Sequence, residues 1–381
     1  MKIAHLCTVD SSLRYLLLPQ LEGSLARGDE TIGMSSPGPD VPFLESKGIR
    51  HIPLTASTRE ASVTSDVRAA WQLARILRQE RLDVLHTHNP KPGVYGRILG
   101  RMLGVPVVIN TVHGLYATET DPLWKRTLVY TLEWLAGLFS DLELVQSAED
   151  MSTMRKLRLA RPGKIQHLGN GVDLTRFDGV DGRVRSRLRS ELGVGDDAVV
   201  VGCVARLVRE KGIPELIHAY ERRTQDYELV IVGPSDPSKP DALSTGEIAS
   251  AEDIGVIFLG HRSDVDQLYQ AFDMFVLPSH REGFPRAAME AAATGLPLVV
   301  TDVRGCREVV DDGLNGLLVA KGRPDELALA IDRLVSDEAL RKSMGEAGVV
   351  KARRDFDEQN VVDTVLSAYS RVARAKGIVD G

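Results

Sequence analysis

Short runs of β-branched and aliphatic residues alternate with amphipathic stretches along the whole chain. In the first half the runs are 2–9, 31–35, 49–54, 84–88, 107–113 and 142–147, and 66–80, 93–103 and 123–139 between them repeat their apolar positions at helical spacing. The runs are continuously apolar rather than alternating, as parallel strands buried on both faces require. Residues 179–197 are polar, charged and glycine-containing, and they predict a linker with one short helix. The pattern then restarts with runs at 198–204, 228–233, 256–260, 274–278, 298–302 and 316–319, and it closes on a helical stretch at 355–376. The expected fold class is α/β, with two doubly wound, Rossmann-like parallel-sheet domains facing across a cleft. The expected boundaries are 1–178 and 179–356, with 357–381 a C-terminal helix able to pack back on the N-terminal domain.

A chain of 381 residues is long enough for two domains with separate cores. With 43% apolar and 26% charged residues, disordered and fibrous classes are excluded. A net charge of −6 argues against a nucleic-acid partner. Residues 1–180 carry 21 basic and 19 acidic side chains and the remainder 26 and 34, so the near-neutral first half is the part that tolerates an anionic surface. Cys7, Cys203 and Cys306 lie far apart in or beside apolar runs, and buried free thiols are expected. The chain opens without a signal-peptide pattern and has no run of about 18 apolar residues, so a cytoplasmic protein is expected.

Sheets of this kind bind ligands where strands end and helices begin, so chemistry is sought there. The segment from Pro278 through Glu282, Gly283, Phe284, Pro285 and Glu290 to Pro297 reads as a strand end, a loop and an alanine-rich helix. Free amides and the helix dipole favour an anion at such a junction. Glu282 and Glu290 are either acceptors for sugar hydroxyls or, more plainly, a helix-entry acid and an outward surface residue. Arg206 and Lys211 flank another strand–helix junction, where two cations can neutralise a diphosphate or form an ordinary surface pair. His113 with Gly114 ends one strand, and His86 and His88 end another. A zinc site there lacks an adjacent third ligand. The segment from Thr8 through Asp10 to Arg14 has no Gly-x-Gly-x-x-Gly fingerprint, which counts against a nicotinamide dehydrogenase. Asn170-Gly-Val-Asp173 reads as a turn and hinge, with ligand contact the lesser option.

Taken together, Asn170-Gly-Val-Asp173, Ala-Arg206-Leu, Lys211-Gly212, Glu282-Gly-Phe-Pro with Glu290-Ala, Gly295-Leu-Pro297, Thr301-Asp302 and Gly305-Cys-Arg-Glu308 resemble the signature of the retaining glycosyltransferases of family 4, which have the GT-B fold. The stretch from Thr8 to Gln20 and His86-Thr-His88-Asn89-Pro-Lys91-Pro-Gly93 resemble the subset that builds capsular polysaccharide and lipid-linked glycans. The resemblance implies that Arg206 and Lys211 hold the diphosphate of a nucleotide sugar, Glu290 the ribose and Glu282 the transferred sugar. It implies that Gly283, Phe284, Pro285 and Asn170 line the donor pocket, and that His113 reaches the donor sugar. Asp10, Arg14, Asn89 and Lys91 would face the acceptor, a glycan or polyprenyl-diphosphate-linked saccharide.

The implied reaction transfers a hexose or N-acetylhexosamine with retention, through an oxocarbenium-like state stabilised by cations at the leaving diphosphate. Glu282 as a covalent nucleophile is the alternative. No cofactor and no metal are expected, although Asp264-Val-Asp266 and Asp355-Phe-Asp357 match the Asp-x-Asp pattern of a different glycosyltransferase fold. The 123–139 helix, with Trp124 and Trp134, reads first as a core helix and second as an interfacial one that gives reversible contact with the inner membrane face. The rival functions are a transferase acting on a soluble small molecule and a non-catalytic nucleotide-sugar sensor.

Overall fold

The computed structural model describes residues 1–57, 63–88, 90–118, 121–236 and 239–378. They divide into two compact units, Met1–Gly169 with Glu358–Gly381, and Asn170–Asp357. The first unit holds strands β1 (Lys2–Val9), β2 (Glu30–Ser36), β3 (Arg50–Pro53), β4 (Val84–His88), β5 (Val107–Val112), β6 (Leu142–Val145) and β7 (Ile165–His167). Their order is β3-β2-β1-β4-β5-β6-β7, and all pairs are parallel. The second holds β8 (Val200–Val204), β9 (Glu228–Val232), β10 (Ile257–Phe258), β11 (Met274–Leu277), β12 (Leu298–Thr301) and β13 (Gly316–Val319), ordered β10-β9-β8-β11-β12-β13, again all parallel. Strand order therefore reverses between β1 and β4 in one sheet and between β8 and β11 in the other, where doubly wound sheets open for ligands.

Most strands fall where the apolar runs place them, because burial on both faces leaves little choice of residue. Strand β7 was not expected. It is three residues long at the sheet edge and only partly buried, so it carries no apolar run. The compact units divide at Gly169 and Asn170, whereas the sequence pattern places the division at 178/179. Packing explains the difference: Val172 is fully buried in the second unit's core, and its N–H donates to the Phe356 carbonyl at 2.9 Å. The helix expected inside a linker is Gly182–Leu192, capped by Asp181, and it buries Leu188 and Arg189 in the second unit.

The helix Leu123–Gly137 corrects the core reading. Trp124, Leu128, Leu132 and Leu135, spaced along one stripe, are all exposed, with Trp124 at 70%, and the residues it buries are Ala136 and Gly137. No helix of the described residues is long and apolar enough to cross a membrane. All three cysteines are buried free thiols.

The helix Glu358–Ala375 packs on the first sheet, setting Val361, Val365, Ala368, Tyr369 and Ala373 against Ile3, Val84, Val107, Ile109, Leu142 and Leu144. Strand periodicity puts His5, His86, His88 and Thr111 on this same face, closer to the carboxyl ends. The face thus changes from apolar to polar along every central strand. On the opposite face Arg97 is buried, donating to Glu143 at 2.8 Å and to Glu133 at 2.6 Å, while Asn110 donates to the other Glu143 oxygen at 2.7 Å.

Candidate functional site

The loops after β8 and β11 meet because these strands are neighbours at the reversal of strand order. Arg206 stands two residues beyond β8, 38% exposed, with its guanidinium 3.5 Å from Asp236. A single tight turn, Arg209–Lys211, then delivers Lys211. Gly212 closes it at φ 70°, and a Cβ there would lie 2.0 Å from the Pro278 carbonyl oxygen. Only glycine lets one loop press so closely on the end of β11. The contact creates an ion pair in which Lys211 Nζ donates to Glu282 Oε1 at 2.6 Å, with the side chains 21% and 9% exposed. Partial burial strengthens such a pair over a surface one, yet leaves the ammonium within reach of a competing anion.

Beyond Glu282 the loop runs to Pro285, which is the N-cap of the helix Arg286–Thr294. The first-turn amides of that helix have no helical acceptors, and the dipole adds positive potential at the same end. Gly305, in the helix Arg304–Val309 that follows β12, allows that helix to close on this segment, since a Cβ on it would come within 2.6 Å of the Gly283 carbonyl. Phe284 anchors the loop, its ring meeting Phe356 edge-on at 6.0 Å. Asn170 Nδ2 donates to the Phe284 carbonyl at 3.2 Å, and Asn170 Oδ1 accepts from the Gly171 N–H at 3.0 Å. Asn170 therefore positions the loop, with both ends of its amide engaged.

Glu290 does not face outward as the sequence reading has it. Its carboxylate is 18% exposed and accepts from Tyr269 Oη at 3.1 Å, with Arg286 3.9 Å away. Burial pushes this carboxyl above its ordinary range, against the opposing pull of Arg286. Tyr269 carries no motif, and only the fold brings it to Glu290. Of the Asp-x-Asp acids, Asp264 accepts from Arg262 at 2.8 and 2.6 Å, Asp266 from Arg176 at 2.7 Å and Asp355 from Arg354 at 2.8 and 2.7 Å.

In the first unit, His113 follows β5 directly. Its Nε2 pairs with His88 Nδ1 at 3.1 Å and its Nδ1 with Gln146 Oε1 at 3.2 Å. Burial lowers its pKa to about 4, so the ring is neutral near pH 7. His86 and His88, two apart in β4, share a face of the sheet, and both are buried. The missing third histidine is His5 of β1, and His5, His86 and His88 hold ligand-type atoms within 4.8 Å of one another.

The residues expected to face an acceptor are engaged locally. Asp10 is buried and accepts from the backbone N–H groups of Ser11 and Asp40, at 2.9 and 2.8 Å. Arg14 donates to Asp40 at 2.7 Å and stacks on Phe43 at 4.2 Å. Lys91 donates to Asp66 at 2.8 Å. Asn89 lies outside the described residues.

The Glycosyltransferase Family 4 pattern matches residues 22–176 and the pattern of glycosyl transferases group 1 matches residues 184–350. A capsular polysaccharide biosynthesis glycosyltransferase of Staphylococcus aureus is 27% identical, with 97% of each chain covered. A UDP-Gal:alpha-D-GlcNAc-diphosphoundecaprenol alpha-1,3-galactosyltransferase of Escherichia coli is 30% identical, covering 80% of this chain and 79% of its own. The crystal structure of Anabaena HepE in complex with UDP has the same fold, with a TM-score of 0.81 at 22% identity over 97% of this chain and 100% of that one.

Proposed function

The chain belongs to the family 4 glycosyltransferases, with the paired Rossmann-like domains of the GT-B fold, and from that premise we propose a retaining transfer of a hexose or N-acetylhexosamine from a nucleotide-diphosphate sugar to a glycan acceptor. The observation that carries the donor assignment is the junction of β8 and β11. There Arg206, Lys211 and the start of the Arg286–Thr294 helix gather positive potential at the carboxyl ends of adjacent strands. A diphosphate entering this junction exchanges places with the Glu282 carboxylate on Lys211. Arg206 grips it as a fork and Lys211 as a point charge, and both stabilise the charge that grows as the nucleotide departs.

Glu290 takes the ribose hydroxyls, which donate to its carboxylate, while Tyr269 holds that carboxylate in place. Glu282, once released from Lys211, accepts from a hydroxyl of the transferred sugar. Gly283, Phe284 and Pro285 contribute backbone around it, and the amides come from the first two because proline has none. For His113 we assign a hydrogen bond to the same sugar. With Glu282 engaged by a sugar hydroxyl, the reading has no protein nucleophile, and the leaving phosphate accepts the acceptor's proton on the face it vacates. The two cations supply the charge that a metal would otherwise bring.

A uridine donor and a polyprenyl-diphosphate-linked acceptor follow the E. coli relative, and a role in surface polysaccharide or glycoconjugate biosynthesis follows the S. aureus one. Asp10, Arg14, Asn89 and Lys91 remain the assignment for the acceptor. The exposed stripe of Trp124, Leu128, Leu132 and Leu135 suits reversible contact with the membrane that carries such a lipid. The test is transfer from UDP-sugars to a short-chain polyprenyl-diphosphate saccharide in the presence of a chelator, with the product linkage read by NMR. Transfer with the donor's anomeric configuration kept supports the reading. Inversion, or activity lost to chelator and restored by magnesium, contradicts it.

A further inference from the structure

Beneath the Glu358–Ala375 helix, the polar end of the first sheet carries side chains that touch one another in a single line. His86 Nε2 lies 2.7 Å from Thr111 Oγ1, and His86 Nδ1 lies 2.6 Å from Tyr369 Oη. Tyr369 Oη is 3.2 Å from His5 Nε2, and His5 Nδ1 is 3.1 Å from His88 Nε2. His88 Nδ1 is 3.1 Å from His113 Nε2, whose Nδ1 reaches Gln146 Oε1. The His5 and His88 rings lie within 7° of parallel. Both nitrogens of all four rings are therefore used within the line, while the His86 ring also packs on His88 at 4.1 Å and on His5 at 5.1 Å without a hydrogen bond between them.

A neutral imidazole has one donor and one acceptor nitrogen. Four such rings in series therefore cannot choose their tautomers independently. If Gln146 presents its oxygen, His113 donates from Nδ1 and must accept at Nε2. His88 and then His5 follow in the same sense, each donating from Nδ1, so His5 Nε2 accepts from the Tyr369 hydroxyl. Tyr369 in turn accepts from His86 Nδ1–H, and His86 Nε2 accepts from Thr111. If Gln146 instead presented its NH2, every bond would reverse.

We infer that these seven side chains act as one directional hydrogen-bond chain, which makes Tyr369, on the C-terminal helix, a positioning residue for His113 that selects which ring nitrogen of His113 carries hydrogen. The consequence for catalysis rests on the reading of His113 as a sugar contact. With Gln146 presenting its oxygen, His113 is held at Nε2 by His88 and offers Nδ1–H, which passes from Gln146 to a ligand oxygen. In the reversed sense it would offer a lone pair instead, and a sugar hydroxyl would have to donate. Dehydration and packing keep the rings neutral, so the chain carries no net charge into the core. A metal ion on His5, His86 and His88 would need their lone pairs to converge, whereas each nitrogen is directed at a different neighbour in the line.

The test needs no substrate, so it stands apart from the activity. In the full-length protein labelled with 15N-histidine, the nitrogen shifts of His5, His86, His88 and His113 report which nitrogen of each ring is protonated. The expected result is one tautomer throughout, Nδ1–H. In Tyr369→Phe the phenyl ring gives His5 Nε2 nothing to accept, and an N–H facing the ring becomes the better state. His88 and His113, which do not touch residue 369, should then shift with His5 toward Nε2–H. A second variant, Gln146→Lys, offers only donors and should reverse His113, His88 and His5 together from the other end, so the test survives if one variant fails to fold. Unchanged His113 tautomers in the folded variants would overturn the inference, as would a parent protein with unrelated tautomers. Three rings moving together on addition of zinc to the parent would also overturn it, in favour of a metal site. If the spectra behave as expected while His113→Ala retains full transfer, the chain stands and the catalytic assignment of His113 falls.

Discussion

The buried histidines make the first unit sensitive to mild acid. Burial lowers His5 to about 3 and pushes His86 and His88 well below their ordinary range. In the unfolded chain each titrates near 6.5. Between the folded and unfolded values the unfolded state binds more protons, so stability is full above about pH 7 and is lost as the pH falls below about 6.5. From about pH 7 to about pH 5.5 each of these rings, and likewise His113 with its pKa lowered to about 4, costs about 1.3 kcal/mol, and the four together about 5 kcal/mol. That is a large part of the roughly 5–15 kcal/mol that stabilises an ordinary domain. The strands of the second unit contain no histidine, which provides an internal control. Urea unfolding followed by pulsed hydrogen exchange at the two pH values should show peptides from β1 and β4 losing far more protection than those from β8 and β11. His86→Gln should reduce the pH-dependent loss by about a quarter, whatever its cost at pH 7. Equal losses in the two sheets, or an unchanged pH dependence in His86→Gln, would refute the reasoning.

Other expectations bear on different parts of the molecule. Arg206→Ala should abolish transfer with a melting temperature near the parent's, and Lys211→Ala should abolish it in a folded protein of lower melting temperature, because Glu282 loses its partner; near-normal activity in a radiolabel assay would remove them from the diphosphate site. Glu290→Gln should raise the donor KM, and in the parent that KM should climb on the acid side as the raised carboxyl of Glu290 protonates; a flat profile would separate Glu290 from the ribose. Glu143→Ala together with Glu133→Ala strands Arg97 in the core and should cost about 3–5 kcal/mol in urea unfolding, because an unpaired buried charge is far worse than no pair. Trp124→Ser with Leu128→Ser should weaken sedimentation with anionic vesicles and leave transfer to a water-soluble acceptor analogue intact.

The legible part of this chain is what burial and local chemistry dictate. Strands β1, β4 and β13 fall on the residues where their apolar runs begin and end, and the junctions at 206–212 and 278–290 are visible because strand ends, glycines and charges occur together. What stayed hidden depends on contacts distant in sequence. Tyr269 reaches Glu290 from 21 residues away, and Tyr369 reaches His5 across 364. His5 alone in an apolar strand gives no sign of its partners. The Leu123–Gly137 helix misled because an apolar stripe has the same spacing whether it faces a core or an exposed surface. Asp10 and Arg14 match a family pattern, and in the fold they meet Asp40, which no motif includes.

The central claim is a nucleotide-diphosphate site built on Arg206 and Lys211, and thermal shift tests it most directly. The full-length protein would be melted with UDP, GDP, ADP and their sugars, with and without magnesium, beside Lys211→Ala. A ligand at about 100 times its dissociation constant adds about 2.7 kcal/mol. The account predicts a selective rise with a uridine diphosphate, independent of magnesium and lost in Lys211→Ala. No response to any nucleotide, or an undiminished response in the variant, would contradict it.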